Sequence, residues 1–100
     1  MKTTIETTEG KALVTFEGMF DSYIAEDVEK DLLPLYDLQN TEITLDCTKM
    51  DYIASSGLRL FFSLLRTVGP NGCNVIIKGA GKDLMEVFES TGFTNFFQFV

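Results

Sequence analysis

The chain has 100 residues, of which 45% are hydrophobic and 23% charged, and its formal net charge is -7. That size suits one domain, residues 1–100, with one core that needs neither a disulfide nor a structural metal, and the composition argues against disorder. Acidity repels phosphate backbones and anionic lipid, so nucleic acid and membrane are poor partners and a basic protein patch is a better one.

The opening residues MKTTIETTEG contain no apolar stretch of signal-peptide length, and no later segment approaches the ~20 apolar residues of a membrane span. A cytoplasmic location is therefore expected. Residues 2–8 (KTTIETT) are threonine-rich and suit a strand. Glu9-Gly10 marks a turn, and residues 11–17 (KALVTFE) read as a second strand, so the chain should open with a hairpin. Gly18 is expected to end that strand, and Asp21 to cap a helix start. Ile24, Val28, Leu32 and Leu35 then form an apolar helical stripe, with Pro34 kinking or shortening the helix near its end.

Residues 41–47 (TEITLDC) alternate as a half-buried strand with Ile43, Leu45 and Cys47 on one side. Thr48 to Tyr52 read as a polar connection, and Ile53 re-enters the core. Residues 55–68 form the most apolar helix candidate. Leu58, Phe61, Leu65 and Val68 share a face, with Leu60 and Leu64 beside them, and Arg59, Ser63 and Arg66 make a narrow polar stripe. Gly69-Pro70-Asn71-Gly72 stops that helix. Residues 73–78 form a short strand, 82–90 a third helix, and 95–100 a last short strand or packed tail. The order β-β-α-β-α-β-α, with or without a final strand, predicts an α/β fold. Its sheet is mixed, because helices between strands favour parallel neighbours while the hairpin is antiparallel.

The chemistry on offer is narrow. There is no histidine, which removes the commonest general base and the commonest neutral metal ligand. Cys47 and Cys73 lack CxxC or metal-ligand spacing and read as buried thiols. Ala54-Ser55-Ser56-Gly57 does not match the GxSxG nucleophile elbow, and no Gly-rich loop matches a phosphate-binding fingerprint, Gly79-Ala80-Gly81 being too short to signal one. No catalytic residue, metal or cofactor is expected, so the chain reads as a non-enzyme. The informative place is the Ala54-Ser55-Ser56-Gly57-Leu58 turn. A serine there can simply cap the helix, and its exposed amides and positive dipole end also tolerate a phosphate. Gly57 would let a partner approach the backbone.

Gly18-Met19-Phe20-Asp21 before a helix, the strand Thr41 to Cys47, and Met50-Asp51-Tyr52-Ile53-Ala54-Ser55-Ser56-Gly57-Leu58 resemble the STAS domain of bacterial anti-sigma factor antagonists. Lys82-Asp83-Leu84 and Ser90-Thr91-Gly92-Phe93 are similar to that family's last helix and its ending. The resemblance implies a mixed sheet with helices packed mainly on one face. It also implies a binding module for an anti-sigma factor of the serine-kinase type, which regulates transcription indirectly. Phosphorylation by that kinase would switch it off, and a serine phosphatase would reverse this. By the same resemblance the phosphoserine is Ser55, with Ser56 as second choice, and the partner surface holds Asp21, Tyr23, Ser55, Ser56, Gly57 and Arg59. The family's usual Asp-Ser-Ser-Gly is Ala54-Ser55-Ser56-Gly57 here, so the acidic residue before the phosphoserine is missing. An accessory or scaffold module that is never phosphorylated is the alternative. A homodimer becomes an option if Phe96 and Phe97 are both exposed.

Overall fold

A computed structural model describes residues 1–100. Its five strands follow chain order across one sheet, β1-β2-β3-β4-β5. β1 (Lys2–Thr8) and β2 (Lys11–Phe20) pair antiparallel around Glu9-Gly10, where Gly10 takes φ +76. β2, β3 (Glu42–Ile53), β4 (Asn74–Lys78) and β5 (Gln98–Phe99) are parallel neighbours. α1 (Ala25–Leu32), α2 (Ser55–Val68) and α3 (Lys82–Ser90) each connect one parallel strand to the next.

That order explains the layering. Right-handed crossovers that always step in the same direction put every helix on the same side of the sheet. Burial agrees. Val14, Phe16, Ile43, Leu45, Val75 and Ile77 face the helices and are buried, whereas Lys11, Thr15, Thr44, Asp46 and Lys78 on the other face are exposed or half-buried. The mixed α/β sheet and the one-sided helices expected above are both present. No helix is long and apolar enough to cross a membrane.

Three local expectations need correction, and the first two share a cause. β2 runs past Gly18 to Phe20, and β3 runs through the supposed polar connection at 48–52 to Ile53. Register shifts lie between Thr15 and Glu17 and between Gly18 and Met19, and at each β3 supplies one extra residue. Such bulges break the two-residue alternation without ending the strand. Burial in β3 therefore changes from every second residue (Ile43, Leu45, Cys47) to every third (Cys47, Met50, Ile53). Thr48 anchors the first bulge by donating from its amide and its Oγ1 to Asp46 Oδ1, at 2.9 and 2.6 Å. Burial works against the charge on Asp46, but the Thr48 bonds with Lys78 and Lys49 outweigh it and hold the carboxyl below its ordinary value.

The third correction concerns Asp21. Its Oδ1 accepts from the amides of Tyr23, at 3.0 Å, and Ile24, at 3.2 Å, so it caps the turn 21–24. α1 starts only at Ala25, with Ile24 at its N-cap position. Pro34 sits in a single 3-10 turn, Leu33–Leu35, which ends the helix as its missing amide requires.

Both thiols are free, Cys47 buried and Cys73 half-buried. Burial, together with the Asp46 charge, pushes the Cys47 thiol up to about 12. A raised thiol pKa means that the unfolded chain loses its proton first as pH rises. Stability should then be intact below the unfolded thiol's range and fall between roughly pH 9 and pH 12, by an amount on the order of 4 kcal/mol for this group. Urea unfolding of Cys47→Ala and the parent protein across that range checks this, since the variant should lack this part of the alkaline loss.

Candidate functional site

The carboxyl ends of β2 and β3 lie side by side, and loops meet there. Loops that lead from strands into helices collect at this end, and exposed loops on a rigid scaffold are where binding residues concentrate. The Ala54 amide donates to the Phe20 carbonyl at 2.8 Å, which ties the start of α2 to the end of β2. One residue beyond that bond on each of the two segments stand Asp21 and Ser55. The structure thus brings together two residues that are 34 positions apart in the sequence. Tyr23 follows on the Asp21 turn and is 92% exposed.

The N-cap position of α2 is Ala54, in extended backbone (φ -83, ψ 166) and without a side-chain cap. Ser55 is therefore the first helical residue and not the cap that its position in the sequence suggests. Its side chain is exposed and its hydroxyl makes no hydrogen bond within the protein. The first amides of a helix have no intrahelical partner, so this turn carries free donors and the positive end of the dipole.

Ser56 differs from its neighbour. Its Oγ is buried and unpartnered, and the residue lines a groove of about 300 Å³ between α1 and α2, with Ala25, Glu26, Glu29, Arg59, Leu60 and Ser63. A hydroxyl with no access to solvent is a poor phosphoryl acceptor, so the geometry favours Ser55 over Ser56. An unsatisfied buried hydroxyl also destabilises. Ser56→Ala should raise the unfolding free energy by about 1 kcal/mol, with a further gain in helix propensity, as read from the urea midpoint at unchanged m-value.

Gly57 is buried and does not face solvent. A Cβ there would lie 2.8 Å from Ile53 Cγ1 and 3.1 Å from the Phe20 ring. The missing side chain lets α2 sit close on the ends of β2 and β3, so it serves packing and is not itself open to a partner. Arg59 is exposed and lines a second groove as well, of about 540 Å³, with Ser55, Leu58, Phe62, Ser63, Arg66, Thr91 and Phe93. Arg59 and Ser63 line both grooves and separate them.

Two residues at this end were not singled out from the sequence. Met19 and Tyr52 are register partners on the outer face of β2 and β3, and they are 54% and 47% exposed. Their signal is their alternation with Phe20 and Ile53, which the second bulge obscures. At the chain's other end Phe93 and Phe97 are buried and stack at 5.0 Å, and Phe96 alone is 60% exposed, resting edge-on against Phe62 at 5.4 Å. The double exposure that would have suggested a homodimer through these rings is absent.

This arrangement matches a known family. The family model "STAS domain" fits residues 2–100. The chain belongs to the STAS family. A putative anti-sigma factor antagonist, BtrV of Bordetella bronchiseptica, is 28% identical over 97 residues, covering 97% of this chain and 84% of the relative. An anti-sigma-B factor antagonist of Staphylococcus epidermidis is 27% identical over 75 residues, covering 75% and 69%. Among solved structures, the anti-sigma factor antagonist SpoIIAA in its unphosphorylated form superposes with a TM-score of 0.77 at 14% identity. That match covers 99% of this chain and 87% of SpoIIAA, and it shows the shared fold alone. In this STAS domain the order of strands and helices follows the shared fold, with Ala54 at the N-cap of α2 and Arg59 one turn beyond Ser55.

Proposed function

We propose that this STAS domain is an anti-sigma factor antagonist: a non-catalytic binding module that docks on an anti-sigma factor of the serine-kinase type and is switched off by phosphorylation of Ser55. The docking surface is the end of the sheet that carries Asp21, Tyr23, Ser55 and Arg59, with Ser56 in the groove behind and Gly57 seating the helix. The observation that carries this reading is the Ser55 hydroxyl itself. It is exposed, unused as a cap and next to the Asp21 turn, and the curated relatives that the chain matches are antagonists of anti-sigma factors. In the modification the Ser55 oxygen takes the terminal phosphoryl group of a nucleoside triphosphate. The hydroxyl proton is released, the bond to the diphosphate breaks, and the diphosphate leaves; a phosphatase returns the hydroxyl by hydrolysis.

The domain mixed with its anti-sigma kinase and ATP should gain one phosphoryl group in an intact-mass measurement, located at residue 55, and the phosphorylated form should leave the complex. Absence of both binding and phosphate transfer would refute the reading. Ala54 favours a second reading, in which the module binds as an accessory or scaffold subunit and Ser55 stays unmodified. Binding without any phosphate transfer would select it.

A further inference from the structure

We propose that Arg59 is the intramolecular receiver of a phosphoryl group on Ser55: on esterification its guanidinium closes on the phosphate and is withdrawn from the docking surface. The inference rests on the reading above only in taking Ser55 as the modified serine.

The chain has two arginines, Arg59 and Arg66, and both lie on α2, whose sequence SSGLRLFFSLLRTV contains no acidic residue. The rest of the chain is strongly acidic, including α1 with Glu26, Asp27, Glu29 and Asp31. Neither arginine is ion-paired, since the single ion pair joins exposed Lys49 and Glu17 at 3.7 Å. Arg59 stands between a pair of carboxylates and the serine that would carry the phosphate. On one side its groove holds Glu26 and Glu29, and on the other its groove holds Ser55. No lysine lines either groove.

Ser55 and Arg59 are four residues apart on one helix, so their Cβ atoms are about 6 Å apart and on the same face. A phosphate on the serine oxygen extends toward the arginine, whose planar fork can hold two phosphate oxygens at once. Arg66 lines the same groove but lies about 16 Å from Ser55 along the helix axis. It cannot reach the phosphate and serves as an internal control. A dianion held by Arg59 withdraws a cation from the end of the sheet that carries the Asp21 turn, so the modification changes the surface in two ways: it adds negative charge and hides positive charge.

The test uses protein with phosphoserine installed at position 55 during translation, so that no kinase is involved and a failure here is distinct from a failure of the kinase reading. The second ionisation of the phosphate is followed by phosphorus NMR in the phosphorylated parent, Arg59→Gln and Arg66→Gln. Both arginines are exposed, so both variants should fold, and circular dichroism verifies it. The guanidinium favours the dianion, so Arg59→Gln should raise the phosphate pKa by about half a unit, the size expected of an exposed ion pair. Arg66→Gln should leave it unchanged. Equal shifts in the two variants would show a general field in place of a specific contact, and no shift in either would show no contact; each result overturns the proposal.

Discussion

Phe61→Ala should lower the unfolding free energy by about 3–5 kcal/mol, the usual range for truncating a buried phenylalanine. Phe61 is fully buried on α2, and its ring centroid lies 5.4 Å from that of Phe16 and 5.9 Å from that of Phe20, the latter edge-on. Those two rings also approach each other at 6.2 Å, so one deletion loosens three aromatic contacts. The cavity cannot close by a shift of α2 toward the sheet, because Gly57 one turn earlier is already close to Phe20 and Ile53. A domain of this size has about 5–15 kcal/mol in total, so the loss should lower Tm by some 15 °C or more. Urea unfolding should show a lower midpoint at an unchanged slope. Phe61→Leu keeps most of the volume and should lose far less. A loss below about 1 kcal/mol for the alanine variant would mean that the three-ring cluster repacks freely and is not what seats α2.

The sequence alone was most legible where a single periodicity rules. α2 at 55–68 and α3 at 82–90 have the boundaries their apolar spacing predicts, because each is stopped by glycine-containing turns and packs one face on the sheet. Even there the buried face of α2 is rotated from the expected one. It centres on Gly57, Leu60, Phe61, Leu64 and Val68, while Leu58 and Leu65 are half-buried beside the grooves. A glycine adds nothing to a hydrophobic pattern, so its place at the middle of the contact was invisible. β3 was truncated because its two bulges turn a period of two into a period of three, which from sequence alone looks like a polar loop. The difference between Ser55 and Ser56 was likewise out of reach. Adjacent helical residues point about 100° apart, and which of them faces solvent depends on where α1 packs. The pairing of Asp21 with the Ser55 turn came from family resemblance, and its physical basis is the backbone bond from Ala54 to Phe20.

Ser55→Asp should weaken binding to an anti-sigma kinase by more than 100-fold while leaving the domain folded. The two halves of that expectation rest on different physics. Position 55 is the first residue of α2, where the dipole and the unpaired amides favour a negative side chain by some tenths of a kcal/mol. No carboxylate lines the groove that Ser55 shares with Arg59 and Arg66, but Asp21 stands on the adjacent turn as a like charge that offsets the gain from the dipole, so Tm should stay close to that of the parent. Binding is another matter. An exposed hydroxyl that is covered in the complex becomes a desolvated charge, and a penalty of about 3 kcal/mol corresponds to the stated loss of affinity. The phosphate itself, with about -1.5 to -2 charges, should act more strongly than aspartate. Ser55→Ala separates charge from shape, since it should bind like the parent and resist inactivation by kinase and ATP. Calorimetric titration of the three proteins, with thermal melts alongside, decides between the two functional readings. Lost binding at unchanged Tm for the aspartate variant supports the switch, and binding retained by all three supports the scaffold.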